Sequence, residues 1–178
     1  SRAIVAVGPT VLEHEILPEL VQSAYLRAAV VNGTLPILGG AINVFVDGGF
    51  VGTSFVRNVA PTQKFPLYLG VDEGIRVERK SVKREDGSDG GFLSTTRARK
   101  TNGFLTTVEN FRGEPVRVTL KERRPVSAEE KINVRIEDAT TEGYATKETE
   151  PGILTWTFDL KPREKREIAV EYSVLYPP

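Results

Sequence analysis

Gly152-Ile153-Leu154-Thr155-Trp156-Thr157-Phe158-Asp159-Leu160 alternates apolar and polar side chains at period two from Leu154 onward. Residues two apart share one face of a strand, so this stretch buries Leu154, Trp156, Phe158 and Leu160 together and leaves Thr155 and Thr157 to solvent. The same pattern recurs around it. Val116, Val118 and Leu120 enclose Arg117 and Thr119; Ile132, Val134 and Ile136 enclose Asn133 and Arg135; Ile168, Val170, Tyr172 and Val174 form a fourth row, with Glu171 and Ser173 on its polar side. Breaks at Arg124-Pro125, over 140–150 and at Lys161-Pro162 separate the four. One-sided strands at this spacing pack as an antiparallel sandwich, with no amphipathic helix between them.

Working outward, the first half also reads as extended, with strands near 4–7, 11–17, 20–31, 41–47, 50–57, 65–70 and 75–84. Asp47-Gly48-Gly49 sits between two apolar runs, where glycine supplies the positive φ of a tight hairpin. Segment 18–31 contains helix formers and a helix is the alternative there, but it ends on Val30-Val31-Asn32-Gly33, as a strand entering a turn does, so a strand is expected. From Ala28 to Val46 there are 19 uncharged residues, close to the length of a membrane-spanning helix. Asn32-Gly33, Pro36, Gly39-Gly40 and Asn43 interrupt it, so two buried strands joined by a loop over 32–40 are expected, and no membrane span. Val, Ile and Thr supply 46 of the 178 residues, against 16 Gly and 11 Pro, a composition of many strands cut by turns. The reading is therefore an all-β fold: an antiparallel β-sandwich with an Ig/fibronectin-like C-terminal part over 102–178, additional N-terminal strands within 1–84, and one long projecting hairpin over 80–104. Residues 1–178 form a single β domain. With no methionine in the chain, we expect a piece of a longer protein.

Composition excludes more chemistry than it suggests. Twenty-four basic residues balance 24 acidic ones, so no global field recruits nucleic acid or an anionic membrane. Zero cysteines remove disulfides, thiolate metal sites and cysteine nucleophiles, and a single histidine removes any site that needs two imidazoles. Three local constellations remain. Asp86-Gly87-Ser88-Asp89-Gly90-Gly91 opens like an EF-hand loop, but Gly90 and Arg97 stand where the fifth and twelfth positions need oxygen ligands, so a solvated turn is expected. His14 lies between Glu13 and Glu15, both of which point to the opposite face of a strand. A catalytic role would need an acid or nucleophile from elsewhere in the fold, so an ordinary surface or half-buried histidine is expected. Asp72-Glu73 cannot flank one glycosidic bond, because neighbours on an extended chain face opposite ways; Asp72 is expected to hydrogen-bond its own backbone before Gly74.

The charged, glycine-rich stretch from Lys80 to Lys100 reads as a hairpin tip, and Lys83, Arg84, Arg97, Arg99 and Lys100 make both arms cationic. These are the residues expected to touch an anionic partner. The basic runs lack the interleaved aromatics of single-strand binders, Phe92 and Phe104 aside, so nucleic acid is not the expected partner. Asn32-Gly33-Thr34 matches the N-glycosylation pattern, which has meaning in an exported eukaryotic chain. Trp156, in phase with Leu154 and Phe158, is expected in the core and not as a sugar platform.

Several ordered blocks resemble a known family. Asn43-Val44-Phe45-Val46-Asp47-Gly48-Gly49-Phe50-Val51-Gly52-Thr53-Ser54, Phe65-Pro66-Leu67-Tyr68-Leu69-Gly70-Val71-Asp72, Ile75-Arg76-Val77-Glu78-Arg79, Glu109-Asn110, Gly152-Ile153-Leu154-Thr155-Trp156 and Glu171-Tyr172-Ser173-Val174 are similar to blocks of the DUF4139 domain of mucoidy-inhibitor-like proteins. The resemblance covers nearly the whole chain and implies an all-β C-terminal domain, with no established reaction, cofactor or catalytic residues. The expected role is a non-catalytic scaffold or protein-interaction domain with no cofactor and no metal, whose partner is another protein, other domains of the same full-length chain, or a second copy in a homo-oligomer. A carbohydrate-binding module, which would need Tyr25, Tyr68, Tyr144, Tyr176 or Trp156 gathered on one concave surface, and a hydrolase built on His14 are the alternatives. Compartment stays open between cytoplasmic and exported.

Overall fold

The computed structural model describes residues 12–46, 49–89 and 97–177. Its regular elements are strands: β1 Leu12–Ile16, β2 Ser23–Val31, β3 Gly40–Val46, β4 Gly49–Val56, β5 Lys64–Asp89, β6 Arg97–Asn110, β7 Val116–Arg123, β8 Asn133–Ile136, β9 Ala145–Lys147, β10 Glu150–Leu160 and β11 Lys165–Leu175. Nine of them form one sheet in the order β8-β11-β6-β5-β2-β1-β7-β10-β9, and β3 pairs with β4 in a separate two-stranded sheet. Pairing is antiparallel except between β1 and β7, where His14 lies beside Val118 and Ile16 beside Leu120 in parallel register.

One continuous sheet makes both layers of the sandwich because β5 turns the corner. Its first part, Lys64 to Arg76, pairs with β2, and its second part, Ile75 to Asp89, pairs with β6. The strand changes partner at Ile75–Arg76, and the register with β2 slips just before it, between Tyr25 and Ser23 and between Arg27 and Leu26, where β5 carries the extra residues. Gly70 sits at one of these slips with a φ of 110°, open to glycine at no steric cost. Bulges and bends of this kind are how strands pass from one layer of a sandwich to the other. The layers close on a single core. Ile75, Val77, Val108, Ile168 and Val170 from β5, β6 and β11 pack with Ile16, Ala24, Val116, Val118, Leu120, Leu154, Trp156 and Leu160 from β1, β2, β7 and β10.

The alternation read in Leu154 to Leu160 is present as expected: Leu154 and Leu160 are fully buried, Trp156 is 4% exposed, and Thr157 and Asp159 face solvent. The Trp156 indole donates to the carbonyls of Thr141 and Glu142 at 3.1 and 3.2 Å, with Tyr144 edge-on at 5.6 Å, the polar tip satisfied while the ring fills the core. The first half needs three adjustments. Segments 65–70 and 75–84 are one strand, β5. The strand expected at 20–31 starts at Ser23, after a turn in which the Leu20 N–H bonds the Leu17 carbonyl. The apolar run 28–46 is two strands and a loop, and no helix among the described residues is long and apolar enough to cross a membrane; β3, however, is not buried as expected, because it belongs to the small sheet and leaves Phe45 60% exposed. The expected strand 4–7 and the turn residues Asp47-Gly48 lie outside the described residues.

The loop over 32–40 is held by the Ile37–Val59 backbone bridge, by Asn58 Oδ1, which accepts from the Gly39 N–H at 2.7 Å, and by Asn32. Asn32, 5% exposed, donates through Nδ2 to the carbonyls of Leu35, Val59 and Ala60. A glycan on Asn32 would be bonded to that same nitrogen, so the folded loop and the sugar compete for one atom.

Candidate functional site

The hairpin expected over 80–104 is formed, with Lys83 paired to Gly103 and Asp89 to Arg97. Its β6 arm runs inside the sheet: β11 bonds it from Arg99 to Glu109, and the Tyr176 N–H reaches the Ala98 carbonyl. The surface this leaves is the outward edge of β5 from Lys80 to Asp89, where the described strands pair from one side. Among the five cations, Lys83 bonds Glu171 at 2.7 Å and Arg99 bonds Glu137 at 2.8 Å, while Lys100 sits 5.8 Å from the Tyr176 ring centre. Arg84 and Arg97 are exposed. Glu171 and Glu137 therefore answer part of the charge that the sequence presents as a uniform cationic tip; their places on and beside β11 could not be read from the local run. The hydrogen bond from Lys83 to Glu171 raises the ammonium above its ordinary value, and bonds from Ser173 and Arg99 hold the Glu137 carboxyl below its own. Asp86, Gly87 and Ser88 are extended and paired with Lys100, Arg99 and Ala98; Gly90, Gly91 and the rest of the expected hairpin tip lie outside the described residues.

The buried ionisable residues, His14, Glu15, Asp72 and Glu122, lie away from the hairpin in three clusters that cross strands. The first corrects the expectation for His14. The imidazole is 5% exposed and its Nε2 lies 2.6 Å from Oδ2 of Asp72, so β1 and β5, 58 residues apart, supply the acid that sequence reading could not find. Asp72 Oδ1 accepts from the Gly74 N–H at 3.0 Å as expected, and Arg112 Nε donates to Oδ2 at 2.7 Å. Glu73 faces solvent. Burial works to raise the Asp72 carboxyl, but the bonds from Arg112, His14 and Gly74 outweigh it and hold the group below its ordinary 3.8. A carboxyl depressed in the folded state stabilises the fold above its unfolded value and loses that contribution as pH falls through its folded value. Wild type is thus expected to lose stability on acidification below about pH 4, and Asp72→Asn to remove part of that slope, as read by urea midpoints between neutral and strongly acid pH. An unchanged slope would show that the carboxyl carries no such linkage.

The second cluster lies on the opposite face of β1. Glu15, 5% exposed, accepts from Arg27 and from the Tyr68 hydroxyl, each at 2.6 Å, with Lys121 at 3.3 Å. Glu13 takes Arg27 Nε at 2.8 Å and the Thr119 hydroxyl at 3.2 Å. Burial and the Glu15 carboxylate raise the Tyr68 phenol. In the third, Glu122 of β7 is 2% exposed and meets Arg79 of β5 through two-pronged contacts of 3.0 and 3.1 Å, plus the Thr106 hydroxyl of β6 at 2.7 Å. The Arg79 guanidinium also stacks 3.8 Å from the Phe104 ring centre.

Each cluster saturates its charges with partners from other strands, which is what tying strands together requires. A hydrolytic dyad would also need a hydroxyl or bound water within reach of the imidazole. The hydrogen bond recorded for His14 is to Asp72, and its other nitrogen, Nδ1, is buried without a hydrogen-bond partner among the described residues. No group of three or more His, Asp or Glu among the described residues is placed to hold a metal ion. Of the rings a sugar platform would use, Trp156 is inside with Tyr144 against it, and the Tyr68 hydroxyl is committed to Glu15.

Comparison with known proteins matches residues 8–178 to the family model described as "Domain of unknown function (DUF4139)". Protein F37C4.5 of Caenorhabditis elegans is 29% identical over 180 residues, an alignment covering 94% of this chain and 32% of that relative. The chain thus spans about a third of the relative's length. No solved structure matches.

Proposed function

This chain belongs to the DUF4139 family, and from that premise we propose that it is a non-catalytic β-sandwich scaffold that binds other proteins, or other domains of its own longer chain, through the β5–β6 hairpin. The observation that carries this reading is the edge of β5 from Lys80 to Asp89, paired by β6 on one side while its other side is unpaired among the described strands. An edge of that length offers main-chain donors and acceptors to an incoming strand. Its charged side chains keep it from pairing indiscriminately, and Arg84 and Arg97 favour an acidic partner segment. An immunoglobulin-like arrangement of the C-terminal strands fits the same role, since sandwiches of that kind present edges and loops on a rigid body.

The test is affinity capture with the full-length protein, comparing wild type with a form lacking 85–100 and with Arg84→Glu/Arg97→Glu, which leaves the strands intact. A partner retained by wild type and lost by both variants is the expected result. Equal recovery from all three would discard the hairpin as the contact surface.

A further inference from the structure

The β3–β4 hairpin carries a surface that this role does not use. Register places Ala41 opposite Phe55, Asn43 opposite Thr53 and Phe45 opposite Phe50, and residues opposite one another share a face. The other face holds Val44 and Val56, each 6% exposed. On the outward face Phe45, Phe50 and Phe55 are 60%, 60% and 70% exposed. Phe45 and Phe50 meet edge to face at 5.5 Å, and the Thr53 hydroxyl donates to Asn43 Oδ1 at 3.2 Å. At about 200 Å² per ring, the three phenylalanines alone offer about 400 Å² of apolar surface, already the size of the largest patch on an ordinary monomer. Leu35 and Leu38, in the connection that enters β3, are 76% and 82% exposed; the phenylalanine face by itself is about half of the ~800 Å² that each partner contributes to a standard interface.

We infer that this face is the contact between two copies of the chain. Two features select a second copy over other occupants. First, neither β3 nor β4 contains an ionisable residue, so the face does not repel its own image, and it offers an acidic or basic partner nothing to recognise. Second, its layout is apolar, polar, apolar: Phe55 at one end, the Asn43–Thr53 pair in the middle, Phe45 and Phe50 at the other. A two-fold axis through the middle sets Phe55 of each copy against the Phe45–Phe50 pair of the other and brings the two Asn43 side chains together at the centre, which is the self-complementarity an isologous contact needs.

The experiment is sedimentation equilibrium of the 178-residue chain from low to high micromolar concentration, with thermal melts as a fold control. Wild type is expected to show a reversible monomer–dimer equilibrium, Phe45→Ser/Phe55→Ser to weaken it at least about tenfold, and Asn43→Lys to weaken it comparably by placing like charges across the axis. These side chains are exposed, so the melting curve of the monomer is expected to hold. A monomeric wild type at every concentration overturns the inference, as does dimerisation undiminished in both variants. Co-sedimentation of monomeric wild type with phosphatidylcholine vesicles would assign the face to a membrane surface instead. The hairpin-edge proposal is untouched by any of these outcomes, since its residues lie on β5 and β6.

Discussion

Arg79→Ala is expected to lower the stability of the fold by about 3–5 kcal/mol, the usual cost of stranding one member of a buried ion pair. Glu122 has 1% of its side chain exposed, so its carboxylate relies on the Arg79 guanidinium for a counter-charge, and the Thr106 hydroxyl satisfies one lone pair without neutralising it. The substitution also strips the cation from the Phe104 ring. The pair joins β5 to β7 across the core, where the two layers face each other. Attraction between the charges is not what makes the loss large: the uncompensated carboxylate is. It follows that Arg79→Met/Glu122→Leu, which removes both charges and fills the space, recovers most of the stability. Urea denaturation of the two variants distinguishes the possibilities. A single-variant loss below about 1 kcal/mol would place the pair in the class of exposed bridges, which contribute that little.

Asn110→Ala is expected to cost about 3 kcal/mol, because one fully buried amide donates to three carbonyls from two separate turns; the Lys161 carbonyl also accepts the Glu164 N–H. Nδ2 donates to Glu114, Leu160 and Lys161, and Oδ1 accepts from the Arg112 N–H. The same residue's backbone bonds Glu164 and Arg163, so Asn110 clamps the end of β6, the turn after it and the 161–164 turn between β10 and β11. Asn110→Asp is expected to be at least as damaging, since a carboxylate would face the three carbonyl oxygens. Hydrogen exchange should then accelerate in 111–115 and 161–164 while β7 and β10 stay protected. A loss under about 1 kcal/mol would mean that water restores those bonds.

These two residues also show where sequence reading stopped. Period-two alternation located β7, β8, β10 and β11, because a half-buried strand writes its buried face into every second position. It also assigned Trp156 to the core and Asp72 to its own turn, both decided within a few residues. What it could not see was contact between distant positions: Asp72 to His14, Glu122 to Arg79, Glu171 to Lys83. In one sequence such partners are charged residues like any others. The corner in β5 was hidden for a related reason, since a glycine-marked bend reads locally as the end of one strand and the start of another. The expectation of a half-buried histidine failed because nothing local to Glu13-His14-Glu15 says that a carboxylate arrives from β5. On β3 the lack of charge over 28–46 suggested burial, although Phe45 faces outward from a sheet of two strands.

The proposed role rests on the claim that His14, Asp72 and the other buried charged residues hold the sheet together and make or break no bond. Turnover by the purified chain on a broad panel of ester, phosphoester, amide and glycoside substrates tests this most directly. Rates equal to buffer are expected for wild type, His14→Ala and Asp72→Asn alike. Turnover by wild type that disappears in both folded variants would contradict it.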